Sequence, residues 1–163
     1  MTRPPLRRKT PLRSRRRVKS LRKRLWPELS KLIRQRDGHC LMRGEFGACS
    51  GVLQGSHIHP KGAWPLLELF PLNVKTLCFR HHFYVWNDRP IEMAEWLKRT
   101  LPSWWLERLE YERLNVMARK GMTEEAIRAE WAYFFEPGRN EKNQALWESG
   151  ELISDSLDAR PLS

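Results

Sequence analysis

The sequence predicts an α+β fold: a small centre of two short strands and a helix, α-helices flanking it, and a disordered basic arm in front. Three observations carry that expectation. Residues 1–24 hold twelve Lys or Arg and no acid. Residues 40–82 hold four of the five histidines and all three cysteines, among Gly, Pro and short β-like runs. Beyond residue 90, apolar residues recur at helical spacing.

The arm comes first. Thr2 to Ser20 combines Pro4, Pro5 and Pro11 with dense Arg, which bars regular helix at the prolines and offers little apolar surface to bury. It is expected to stay disordered until it meets a polyanion. From Trp26 the pattern changes, with Pro27 suited to a first helical turn, Leu29, Leu32 and Ile33 at helical spacing, and Asp37-Gly38 as a stop. Gly51 to Ile58 and Val74 to Leu77 read as strands joined by a loop from Pro60 to Leu72. Phe79 to Trp86 suits a helix, and Asp88 can cap another from Pro90 to about Arg99. Trp104, Leu106, Leu109 and Leu114 mark a helix ending near Gly121, and Thr123 with Glu124 and Glu125 starts one reaching about Phe135. These two are expected to pair antiparallel. Leu146 and Trp147 are docking candidates in the polar stretch after Pro137. The predicted organisation is therefore an arm at 1–24, a central domain at 25–100 and a helical extension at 101–163.

The net charge of +11 is concentrated in the arm, because the remainder carries 18 basic and 19 acidic residues, or −1. A basic arm on a near-neutral body points to a nucleic acid, since Lys and Arg that bind phosphates release condensed counterions. DNA or RNA is the expected partner, against a solvated tail or a membrane-surface patch. The candidate phosphate contacts are Arg7, Arg8, Lys9, Arg13, Arg15, Arg16 and Arg17, with Lys61, Lys75 and Arg80 nearer the histidines. No apolar run approaches the roughly 20 residues of a membrane helix and the N-terminus lacks a signal-peptide core, so a cytoplasmic protein is expected.

Three cysteines without a secretion signal argue against a disulfide framework and leave metal ligation or burial. Cys78-Phe79-Arg80-His81 lets a tight turn aim a thiolate and an imidazole at one zinc, with Cys40 and Cys49 supplying the other half at an irregular spacing. The bland alternative is three buried free thiols acting as small hydrophobes. At Ser56-His57-Ile58-His59-Pro60, strand alternation puts His57 and His59 on one side. His82 follows His81 directly and points roughly 100° away on a helix, so adjacent histidines can serve two metals.

The order His57, then Asn73-Val74-Lys75-Thr76-Leu77-Cys78, then His81-His82 resembles the HNH signature of the ββα-metal, or His-Me finger, nucleases. The run LNVKTLCFRHHFYVWNDRPIEMAE and the start RRKTPLRSRRR are similar to phage HNH proteins related to the NinG/Rap recombination nucleases. That resemblance spans residues 1 to about 100 and implies a ββα-metal core with a structural zinc knuckle. It implies a DNA endonuclease acting on recombination or packaging intermediates, with His57 as general base and Asn73 bracing the loop. His82 would ligate one catalytic divalent ion, Mg, Mn, Ni or Zn, while Cys40, Cys49, Cys78 and His81 would hold a structural zinc. Branched DNA cut by a homodimer follows only by that analogy.

Two positions depart from the family pattern, Ser56 before the base and Asn87 at a later histidine position. His59 then becomes an alternative base or replacement metal ligand, and Asn87 a source of an amide oxygen to the ion. A zinc-stabilised DNA- or RNA-binding protein that no longer cuts is the competing reading. The aromatic residues Phe83, Tyr84, Trp86, Trp96, Trp104 and Trp105 serve either as core or as stacking surface for bases.

Overall fold

The computed structural model describes residues 12–149, with side chains from residue 20 on apart from that of residue 147. Arg7, Arg8 and Lys9 lie outside that range, as do residues 1–11 of the expected arm. Helix α1 (Leu12–Asp37) corrects the expectation of disorder through Ser20. Residues 12–26 contain neither Pro nor Gly and are mostly Leu, Arg and Lys, which are good helix formers. Arg13, Arg15, Arg16 and Arg17 fall on the first turns of this helix.

A helix start at Pro27 was also expected, yet α1 runs through it. A proline there lacks the N–H that would reach the Lys23 carbonyl. Tertiary packing offsets that loss, because Leu25, Leu29 and Ile33 are fully buried along one stripe. The stop falls where the sequence places it: Gly38 takes φ 69°, and its N–H donates to the Arg34 carbonyl at 3.0 Å.

Strands β1 (Leu53–His57) and β2 (Val74–Cys78) form a two-stranded antiparallel sheet, with Leu53 opposite Cys78 and His57 opposite Val74. The end of α1 is bolted to this sheet. Arg36 donates to the carbonyls of Pro71 and Val74 at 3.1 and 2.8 Å, and Asp37 accepts the Thr76 N–H at 2.7 Å. Helix α2 (Phe79–His81) continues into a π-helical turn at His82–Trp86, so the helix expected over Phe79 to Trp86 changes pitch at His82. Helices α3 (Pro90–Thr100), α4 (Ser103–Leu114), α5 (Glu124–Phe134) and α6 (Arg139–Glu148) follow. Arg89, not Asp88, occupies the capping position of α3, with Pro90 opening the first turn. Thr123 caps α5 as expected, its side chain accepting the Ala126 N–H.

Two buried clusters hold the chain together. The larger gathers Cys40, Leu77, Cys78, Val85, Trp96, Trp104 and Trp105, and the smaller joins Leu25, Leu29 and Ile33 to Val74, Ile127 and Trp131. The last helices are therefore part of the core around the sheet. Trp105 Nε1 donates to the Leu72 carbonyl at 2.7 Å and Trp131 Nε1 to that of Leu69 at 2.9 Å. The main helix contacts of α4 and α5 are with α6 rather than with each other, because α4 and α5 send their apolar faces largely into different clusters. Leu146 docks on the larger one. Among the described residues no helix is long and apolar enough to cross a membrane.

Candidate metal centre and histidine site

Cys40, Cys49, Cys78 and His81 converge although 41 residues separate the first from the last. β2 ends at Cys78, whose side chain caps α2 by accepting the His81 N–H at 3.5 Å. One turn later, His81 Nδ1 lies 3.3 Å from both Cys40 Sγ and Cys78 Sγ and 3.6 Å from Cys49 Sγ. All four ligand atoms fall within 4.8 Å of one another. A tetrahedral zinc with ordinary bond lengths requires S···N edges of roughly 3.5 Å, so three thiols and one imidazole at these separations fit zinc. The three cysteines are not disulfide-bonded.

The knuckle loop is fastened from the helix side. Arg80 donates to the carbonyls of Phe46 and Ala48, each at 3.0 Å. Gly47 lies under that guanidinium with φ 97°, where a Cβ would come within 2.7 Å of Arg80 Nη1. Arg80 was expected to bind phosphate; its Nη1 is engaged by this loop and the residue stays half-exposed. Burial pushes the Cys40 thiol up to about 12. Burial also works to raise Cys78, but the His81 and Ser50 amides outweigh it and hold that thiol below its usual range. Cys78 is thus the first thiolate available, and a bound cation would draw the remaining protons off.

On the other side of the sheet end, His57 stacks on Trp26 of α1 with ring centroids 4.5 Å apart and planes 19° from parallel. His57 Nε2 lies 3.1 Å from the Glu68 carbonyl oxygen. A carbonyl only accepts, so Nε2 carries the hydrogen and Nδ1 is left as a bare acceptor. Burial lowers the His57 pKa to about 4; the Glu68 carbonyl opposes the shift, and the charges of Lys61, Lys75 and His82 add to it. The ring is neutral at pH 7.

Asn73 holds the loop that carries the Glu68 carbonyl. Its Oδ1 accepts the His59 N–H at 2.7 Å, and its Nδ2 donates to the carbonyls of His59 and Leu67 at 3.2 and 3.0 Å. Those contacts pin both the segment after His57 and the residue before Glu68. His82 Nδ1 lies 2.9 Å from Gln54 Oε1; with the amide oxygen accepting, His82 Nε2 is left free of its proton. Trp86 Nε1 donates to the His57 carbonyl at 3.1 Å, tying the π turn to the end of β1.

His57 and His59 do not converge, contrary to the alternation expected of a strand. β1 ends at His57, the chain bends, and the His59 ring sits 6.2 Å from Trp64. Burial lowers its pKa, with Arg113 lowering and Glu110 raising it from α4. Asn87 is exposed at the end of the π turn. Among the described residues, the three cysteines and His81 form the only metal-ligand cluster of three or more His, Cys, Asp or Glu.

Lys75 departs furthest from its expected place. Its position in β2, opposite Ser56, buries it completely, so it cannot reach a phosphate at the surface. Its Nζ sits 2.9 Å from the centre of the Trp86 ring and has no hydrogen-bond partner, as is true of the buried Ser56 Oγ. Burial drives the amine towards its neutral form. Lys61 is exposed and close enough for its charge to act on His57.

Three members of the site were not anticipated: Trp26, Gln54 and the Glu68 carbonyl. Strand alternation gave no signal for Gln54, which lies three residues before His57 and so on the opposite face of β1. Trp26 reaches His57 only through the tertiary docking of α1, and a backbone carbonyl leaves no signal in residue identity. No protein-family model, curated protein or solved structure matches the chain.

Proposed function

We propose that the chain is a metal-dependent HNH-type endonuclease that hydrolyses DNA phosphodiester bonds, with His57 as general base. The observation that carries this reading is the hydrogen bond from His57 Nε2–H to the Glu68 carbonyl. A base for water must be neutral, aimed, and free at one nitrogen. The carbonyl selects the tautomer, stacking on Trp26 fixes the ring plane, and burial keeps the proton off. Asn73 keeps the carbonyl in place through the loop.

In this reading Nδ1 of His57 takes a proton from water as the water oxygen bonds to phosphorus, and the P–O bond to the leaving sugar oxygen breaks. His82 Nε2 is the group suited to hold a divalent ion, with Gln54 orienting the ring from its other nitrogen. Bound there, such an ion would supply Lewis-acid neutralisation of the phosphate charge. A single imidazole is a sparse protein contribution, and phosphate and water oxygens would have to complete the shell, as a hard ion such as Mg²⁺ requires.

The sparse ligand set also favours a second reading, a zinc-stabilised DNA- or RNA-binding protein without cleavage. Nicking of supercoiled plasmid separates the two. The zinc-loaded protein is expected to nick with Mg²⁺ or Mn²⁺ and not without added divalent ion. Because the His57 pKa is depressed to about 4, the base stays unprotonated as pH falls from 8 through 6.5, the usual histidine midpoint, so its protonation should not limit the rate until near pH 4 to 5. A base-dependent acid limb centred near pH 6.5 would contradict the buried setting. DNA binding without nicking at any pH or metal would establish the second reading.

A further inference from the structure

The aromatic residues divide by exposure. Trp96, Trp104 and Trp105 are core, at 5% exposure or less, and Trp86 is half-buried beneath Lys75. Phe79, Phe83 and Tyr84 are open to solvent by 40%, 45% and 63%. Leaving three rings in water together is unfavourable unless something covers them. They form one surface: the Phe79 ring lies 4.8 Å from that of Phe83 and 6.0 Å from that of Tyr84.

The change of pitch at His82 explains why three rings meet. In an α-helix, residues four apart share a face, which would place Phe83 but not Tyr84 beside Phe79. In a π turn, residues five apart come into line, and that widening swings Tyr84 round to join them. The same turn carries His82, whose ring is 4.7 Å from Phe83. The aromatic surface therefore adjoins the imidazole suited to hold the divalent ion.

Charge identifies the occupant. Residues 69–87, which carry the three rings, contain no Asp or Glu, and the carboxylate of the preceding Glu68 is paired with Arg22 at 3.1 Å. Basic charge comes from the exposed Lys61 and the half-buried Arg80, Lys75 being enclosed in the core. Flat π faces on a segment without carboxylates, with Arg80 and Lys61 as the charges, match a ligand that carries both flat aromatic groups and negative charge. An unpaired run of nucleotides has both, whereas a duplex keeps its bases stacked inside and presents only edges and phosphates.

We propose that Phe79, Phe83 and Tyr84 form a shelf on which unpaired bases of a single-stranded DNA segment stack beside the His57–His82 site. The proposal deepens the nuclease reading by naming the state of the substrate, and it rests on that reading for the identity of the neighbouring site. The two fail separately, because stacking is measured as binding without cleavage.

The test uses the full-length, zinc-loaded protein without added Mg²⁺ or Mn²⁺, titrated against fluorescein-labelled oligothymidylate and against a duplex of equal length, read by anisotropy. The Phe83→Ala/Tyr84→Ala variant is expected to bind the single strand roughly tenfold or more weakly. Its duplex affinity should stay within about twofold, and the dependence of its affinity on salt should be unchanged, since no phosphate contact is lost. Tyr84→Phe, which keeps the ring, should bind as the parent does. Zinc content and thermal midpoint report folding of each variant. Equal losses on both DNAs, or no loss on the single strand from a folded variant, would overturn the proposal; the latter would point to a protein partner for the shelf.

Discussion

Cys78→Ser is expected to lower the thermal midpoint by roughly 10 °C or more and to release the zinc at chelator concentrations the parent withstands. Cys78 is the last residue of β2, the cap of α2 and a member of the larger core cluster. A metal held there would join four points that the chain otherwise holds through a two-stranded sheet, loops and the larger buried cluster. Structural zinc contributes about 10–16 kcal/mol in small zinc-folded peptides. Loss of a third of the smaller figure, spread over a chain of this size, shifts the midpoint by roughly 10 °C. If the variant is insoluble, chelator titration of the parent reads the same linkage, with unfolding following zinc loss. A parent that keeps its midpoint after complete zinc removal would make the four residues a reduced thiol cluster instead.

His57→Ala is expected to lower the rate of plasmid nicking by about 10²–10⁴, the usual worth of a positioned general base. Zinc content should remain at the parent value, because His57 takes no part in the knuckle. The substitution also removes the ring that stacks on Trp26, so some stability is lost with the base. His57→Gln retains much of the side-chain bulk and an atom able to donate to Glu68, yet offers no imidazole, and it should be as slow as the alanine variant. Full activity in a folded His57→Gln protein would remove His57 from the chemistry. His59→Ala should cost far less, since His59 faces Trp64 and α4.

Local signals foretold the parts of this fold that local chemistry decides. The strand runs around Leu53–His57 and Val74–Cys78, the Asp37-Gly38 stop, the Pro90 start and the Thr123 cap are each set by neighbouring residues. The Cys78-x-x-His81 half of the knuckle follows from one turn of chain, and it brought Cys40 and Cys49 into the same expectation. What escaped was set by tertiary context. Pro27 marks a helix start in isolation, but burial of Leu25, Leu29 and Ile33 carries α1 through it. Lys75 and Arg80 look like phosphate contacts by charge; strand register draws Lys75 inward, and the loop carbonyls at Phe46 and Ala48 engage Arg80 Nη1. His59 was paired with His57 by strand period, a rule that ends where the strand does.

Nitrogen-15 NMR of His57 across pH tests the central claim most directly, because the account rests on a neutral imidazole locked by the Glu68 carbonyl. It predicts an Nε2–H tautomer, an unprotonated Nδ1 at neutral pH, and a midpoint near pH 4 rather than 6.5. An Nδ1–H tautomer, or titration near pH 6.5 in the folded zinc-loaded protein, would contradict it and leave no aimed base at this site.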